Sequence, residues 1–139
     1  MPEVTINYFS VVLAAILGGM VLGFVWYGPL FGKAWMKLMD IDQKKMEEMK
    51  KKGMGKTYAI SMVGSLVMSY VLAHFVSYAQ AATVLQGLQV GFWAWLGFVA
   101  TTMMASVLYG KKSWKLYQLD ASYQLVSLLI MGVVLSVWR

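Results

Sequence analysis

Four stretches of about twenty residues without a charged side chain govern what this chain folds into. They run from Phe9 to Tyr27, from Tyr58 to Tyr78, from Leu88 to Tyr109 and from Ala121 to Trp138. A helix needs about 20 apolar residues to cross the hydrocarbon layer of a bilayer. A single span in lipid satisfies its own backbone hydrogen bonds only as a helix. The sequence therefore predicts an all-α integral membrane protein, with four transmembrane helices in a bundle forming one domain over residues 1–139. Composition agrees, because 13% of the residues are charged and 60% hydrophobic, whereas an ordinary soluble domain has about 25% charged residues. The first stretch follows Glu3 rather than a basic segment, and no small-residue cleavage site comes after it. It is expected to stay as an anchor, not to be removed as a signal peptide.

The lysines set the orientation. Lys33, Lys37, Lys44, Lys45, Lys50, Lys51, Lys52 and Lys56 lie in the loop between spans one and two, residues 28–57. Lys111, Lys112 and Lys115 lie between spans three and four, and the connection around Gln80 to Gln86 has no charge. Of 12 basic residues, only Arg139 falls on the other side. The positive-inside rule then predicts cytoplasmic lysine-rich loops and both termini outside. The net charge of +6 is read as membrane topology and attraction to anionic lipid at the first loop, not as nucleic-acid binding. Trp26, Tyr27, Trp35, Tyr109 and Trp114 near the inner ends, with Tyr78 and Trp138 near the outer ones, are expected to anchor at the headgroup level.

The first loop carries structure of its own. Leu30 to Met36 reads as a short interfacial segment, and Asp40 to Lys52 as a cytoplasmic amphipathic helix capped by Asp40 and ended by Gly53. Glu47 with Lys51, and Glu48 with Lys52, are i,i+4 pairs in the favoured order, and Met39, Met46 and Met49 form one stripe. Two readings stand side by side: a helix resting on anionic lipid or an acidic partner, and a solvated hairpin packed on the bundle.

Apolar burial does not drive helix association in lipid, so close backbone approach matters more. Small residues recur four apart in every span. They are Ala15, Gly19 and Gly23; then Ser61, Ser65, Ser69, Ala73 and Ser77; then Gly87 with Gly91, and Gly97 with Thr101 and Ala105; and finally Gly132 with Ser136. Gly19, Gly23, Ser61, Ser65, Ser69, Gly87, Gly91 and Gly97 are the packing candidates. More such surface is present than one copy uses, which predicts a homo-oligomer or a subunit of a larger membrane complex.

Chemistry is sparse. The chain has no cysteine, which removes disulfides and thiol catalysis. The one ionisable group inside a predicted span is His74, on a face with Tyr70, Ser77 and Tyr78, at a depth of ~6 Å from the outer end. It is a candidate proton-sensitive gate or cofactor ligand, set against a neutral imidazole bonded to its surroundings. One histidine without an intramembrane carboxylate does not make an intrachain metal site, which leaves an intersubunit site or axial ligation of a pigment open. Asp120 is read as the cap of span four, favoured by the helix dipole. No catalytic set assembles on one face, so no enzyme and no cofactor is predicted. The preferred expectation is a structural or accessory subunit. The alternative is an oligomeric channel or transporter for a small solute or ion, with His74, Tyr70 and the serine stripe along its path.

The motifs resemble one known family. Trp26-Tyr27-Gly28-Pro29-Leu30-Phe31-Gly32-Lys33-Ala34-Trp35 follows span one, and Gly53-Met54-Gly55-Lys56 precedes span two. Tyr70-Val71-Leu72-Ala73-His74, Trp95-Leu96-Gly97-Phe98-Val99, Trp114-Lys115-Leu116 and Val137-Trp138-Arg139 complete the set. Together they resemble the bacterial membrane family known as domain of unknown function 1761, over nearly the whole chain. That family's pattern has an acidic residue after span three and Asn-Ala-Gly-Tyr opening span four. Here those places read Gly110-Lys111-Lys112 and Asp120-Ala121-Ser122-Tyr123. The resemblance implies a four-span, multi-pass protein of the bacterial inner membrane and transfers no activity.

Overall fold

The computed structural model describes residues 3–110 and 112–139, so Lys111 of the third connection lies outside the described residues. Four helices are long and apolar enough to cross a membrane: α1 (Tyr8–Leu30), α4 (Gly55–Tyr78), α5 (Val84–Leu108) and α6 (Trp114–Val137). Two short helices, α2 (Gly32–Leu38) and α3 (Gln43–Lys51), fill the connection after α1. The chain is thus a four-span membrane helix bundle with short helices outside the spans.

The helices outrun the apolar stretches because caps, not hydropathy, decide where a helix starts. Asn7 caps α1, its Oδ1 accepting from the amides of Phe9 and Ser10. Thr83 and Gln86 form a reciprocal capping box that starts α5 at Val84, four residues before Leu88. Ser113 caps α6, accepting at 3.1 Å from the amide of Leu116. Asp120 therefore does not cap span four; it lies inside the helix, in its second turn. Asp40 does not cap the lysine-rich helix either. Asp42 does so, accepting from the Lys45 amide at 2.7 Å. Asp40 has φ +57° and closes α2, with the Ile41 amide reaching back to the Met36 carbonyl. An acidic side chain with a local hydrogen-bond option tolerates that left-handed position after a helix. The turn also moves Met39 off the helix that carries Met46 and Met49. The Glu47–Lys51 and Glu48–Lys52 pairs do not close to 4 Å, as expected for exposed side chains in water. Gly53, with φ +87°, follows the end of α3.

Helix α6 is the hub. Within their apolar windows, 39% of α6 is buried but only 11% of α5. The core is built of Val11 and Ala14 from α1, Leu72, Ala73 and Val76 from α4, and Leu128, Met131 and Leu135 from α6, closed at one end by Ala81. Ser69 is fully buried and donates at 2.9 Å to the Val11 carbonyl.

The packing candidates divide sharply. A Cβ on Gly87 would stand 2.5 Å from the Gly132 carbonyl oxygen, and one on Gly91 would meet the Leu128 carbonyl, so α5 and α6 cross backbone to backbone. Gly19 faces the Ser65 side chain and Gly23 faces Tyr123. Ser61 and Gly97 are exposed, and nothing lies within 4 Å of a Cβ on Gly97.

Candidate functional site

After Tyr27 the first long helix kinks at Gly28 and runs on to Leu30. Pro29 lacks the N–H that an α-turn requires, and the backbone answers with a wider i→i+5 turn over Trp26–Leu30. Gly28 leaves helical geometry there, with φ −105° and ψ −108°. Similar wide turns occur at Ile16–Val21 in α1 and at Trp95–Ala100 in α5. Such turns are rare and gather at functional positions. All three contact one stretch of α6, residues 117–123.

The contacts are reciprocal. From α1, the Trp26 indole donates at 3.2 Å to the Leu119 carbonyl, and the Tyr27 hydroxyl donates at 2.7 Å to Asp120 Oδ1. In return, the Tyr123 hydroxyl donates at 2.9 Å to the Gly19 carbonyl. From α5, the Trp95 indole donates at 2.8 Å to the Ala121 carbonyl, and the Tyr117 hydroxyl returns a bond at 2.9 Å to the Ala100 carbonyl. Tyrosine and tryptophan suit this work because each carries an apolar body and one polar tip.

The rings form one connected cluster, and Tyr27 within it reaches Asp120. Tyr27 stands edge-on to Tyr123 with centroids 5.1 Å apart, and edge-on to Trp35 at 5.9 Å. Trp26 packs against Phe31 at 4.7 Å and Tyr123 at 6.2 Å. Trp26 and Tyr27 thus tie α1 to α6. All five rings and Asp120 are half-buried. Among the described residues, Asp120 has no ion-pair partner and takes the single hydrogen bond from Tyr27.

His74 lies at the opposite end of the bundle. Its Nδ1 is 2.9 Å from the Tyr70 carbonyl. A carbonyl only accepts, so Nδ1 is the donor of this bond. The imidazole stands edge-on to Tyr70 at 4.8 Å and is 6.3 Å from Tyr78, while Tyr8 of α1 stacks on Tyr70 at 6.5 Å. Ser77 is half-buried on the same helix. Tyr70, His74 and Tyr78 therefore form one ladder, joined by Tyr8, and Asp120 belongs to a separate cluster at the lysine-rich end. Beside the ladder, a groove of about 650 Å³ opens between the end of α4 and the start of α5, lined in part by Phe75, Gln89, Trp93 and Phe98. Among the described residues, no group of three metal-ligating side chains converges.

The Tyr27–Asp120 pair was not foreseen, since its members are 93 positions apart. Ser113 ahead of Trp114-Lys115-Leu116 was the available signal. A cap there places Asp120 inside the helix, where a carboxylate needs a partner.

Residues 10–136 match the family described as Protein of unknown function (DUF1761). The chain belongs to that family. No curated protein and no solved structure matches it. In this DUF1761 chain, the Trp26–Trp35 block that carries the resemblance most specifically is also the block that ties α1 to α6 at Leu119 and Asp120. Its glycines serve the same place: a Cβ on Gly32 would stand 2.7 Å from the Tyr27 carbonyl oxygen.

Proposed function

We propose that this protein is a structural or accessory membrane subunit that associates with a second copy of itself through the uncovered face of α5. The observation that carries the reading is the strip Gly97, Thr101 and Ala105, three small residues four apart on an exposed face of the least buried span. The Thr101 hydroxyl is already satisfied by the Gly97 carbonyl at 2.7 Å, so the strip offers close approach without an unpaired polar group. Apolar side chains gain nothing by leaving lipid for each other, whereas small-residue strips let two backbones meet. The lysine-rich α2–α3 connection faces the cytoplasm in this reading, with both termini outside and the lysines resting on anionic headgroups, each contributing about 1 kcal/mol near the surface.

The test is native mass measurement after gentle extraction. The wild-type protein is expected as a dimer or heavier species, and Gly97→Leu with Ala105→Leu as a monomer of unchanged helix content. A wild-type protein that is monomeric at every detergent concentration overturns the proposal.

A further inference from the structure

Gln124 is a polar side chain far from either surface. It stands 13 positions before Val137 in α6, which is about 20 Å at the helical rise. With Val137 at the far boundary of a hydrocarbon layer about 30 Å thick, it lies about 10 Å inside the near one. Its amide offers two donors and an acceptor, yet makes no hydrogen bond among the described residues. It is half-buried, and the only sealed side-chain polar atom without a partner among those residues is Ser136 Oγ. The Gln124 amide is therefore open to something the size of a water molecule.

Its neighbours on the helix surface, three and four positions away, fix the direction of that opening. Asp120 bonds Tyr27 of α1, and the Ser127 carbonyl oxygen would stand 3.0 Å from a Cβ on Gly18 of α1. Ala121 and Leu128 face α5 instead, through Trp95 and Gly91. Gln124 lies between these two lines, so it points between α1 and α5, which do not pack on each other. In the half of the bundle away from the lysines, α4 fills that space. There Leu72, Ala73 and Val76 share a core with Leu128, Met131 and Leu135, and Met131, two turns past Gln124, is fully buried. Toward the lysine-rich end the helices spread: no residue of α4 before Ser69, and none of α5 after Ala100, is buried.

We propose that water enters the bundle from the lysine-rich end, between the spread halves of α4 and α5, and reaches Gln124, where the apolar core stops it. Polar groups inside a membrane face the bundle interior or a water-filled cavity, and an interior amide without a protein partner is satisfied by water. Asp120, one turn nearer the entrance on the same side of α6, takes one hydrogen bond from the protein and is hydrated by the same water. The slot is a dead end, not a through channel, and it does not depend on self-association.

The experiment uses single cysteines, since the chain has none of its own, in the full protein in nanodiscs, which leave both membrane faces open. A thiol in apolar surroundings stays protonated and inert, and a hydrated one reacts as the thiolate. A small hydrophilic methanethiosulfonate is expected to modify Gln124→Cys at least about tenfold faster than two comparison variants. One is Val126→Cys, which faces an apolar groove with Leu129, Ile130 and Val133 at nearly the same depth. The other is Leu128→Cys, beyond the end of the slot. Modification at Gln124 no faster than at Val126 overturns the proposal, and so does a Leu128→Cys that reacts as fast as Gln124→Cys. A second arm needs no variant. In water-edited solid-state NMR of the wild-type protein in bilayers, the Gln124 side-chain amide is expected to take up magnetisation from water, as exposed Gln118 does. A Gln124 amide as dry as Leu129 overturns the proposal.

Discussion

Replacing Gly132 by alanine tests whether the α5–α6 crossing is the firmest part of the bundle. The added methyl would meet the Gly87 carbonyl oxygen, with the Gly87 carbonyl carbon at 3.1 Å and the Gly91 nitrogen at 3.4 Å. The reciprocal change, Gly87→Ala, places its methyl 2.5 Å from the Gly132 carbonyl oxygen and 2.8 Å from Ser136 Oγ. Carbon atoms prefer about 3.5–4.0 Å, so the helices must part by roughly 1 Å, a gap that forfeits about a quarter to a half of each local dispersion contact. Overpacking of this kind costs about 1–3 kcal/mol, offset by up to about 1 kcal/mol of helix propensity. The net expectation is a loss of about 1–2 kcal/mol for either variant. One displacement relieves both clashes, so the double variant should lose about 1 kcal/mol less than the sum. Equilibrium unfolding in mixed micelles, followed by tryptophan fluorescence, reads these differences. Gly64→Ala in α4 is the control, because its methyl meets nothing within 4 Å, and it should show only the helix-propensity gain of up to about 1 kcal/mol. If Gly132→Ala and Gly64→Ala unfold alike, the backbone crossing is not holding the helices and the reasoning fails.

Three further outcomes are expected. Tyr27→Phe removes the hydroxyl that bonds Asp120. Interhelical hydrogen bonds in membranes average about 0.6 kcal/mol with a maximum near 1.7, and a carboxylate acceptor places this one near the top of that range in the same unfolding assay. Tyr123→Phe, which frees only the Gly19 carbonyl, should cost about the average, and equal losses from the two would count against Asp120 as a stronger acceptor than a backbone carbonyl. Asp42→Ala removes the cap of α3 at a local cost of about 1 kcal/mol, so hydrogen exchange over Gln43–Lys51 should speed up while global unfolding stays put. Because the chain has no cysteine, single cysteines report sidedness cleanly. A membrane-impermeant maleimide should label Gln80→Cys in intact cells and Lys45→Cys only after permeabilisation, and the reverse pattern would invert the topology.

The number of spans and the short helices between the first two were legible because hydropathy and helix length are local properties. The helix ends were not, and the reason is physical. Charge-free runs mark where hydrocarbon lies, whereas a helix continues into the headgroups until a side chain takes up its free amides. Ser113 does this seven residues ahead of Asp120, and Thr83 with Gln86 does so ahead of Leu88. Span one was read as ending at Tyr27, and the structure breaks helical geometry at the next residue, Gly28, before a wide turn runs on to Leu30. The small-residue stripes were visible as patterns, yet spacing alone could not separate Gly87, pressed on Gly132, from Gly97, which meets nothing. That distinction belongs to the azimuth of one helix against another, which no single helix records. The Asp120 cluster was out of reach for the same reason, since Tyr27 is brought to it only by the packing of α1 on α6.

The wide turns explain why that cluster forms where it does. In an α-helix each interior carbonyl already accepts from the amide four residues on, and an outside donor must share it. A wider turn displaces carbonyls from that ladder, and a polar side chain from a neighbouring helix can then complete their hydrogen bonding. The Gly19 carbonyl lies in the first wide turn and the Ala100 carbonyl closes the third, and each receives a tyrosine hydroxyl from α6. The same irregular segments send Trp26, Tyr27 and Trp95 back to α6. Irregular backbone in a membrane survives only where its polar groups are satisfied inside the protein, so the α6 stretch from Tyr117 to Tyr123 and the wide turns require one another. Asp120 stands in the middle of that stretch as the only charged member. Its carboxylate is bonded by Tyr27 on one oxygen and takes no second hydrogen bond among the described residues.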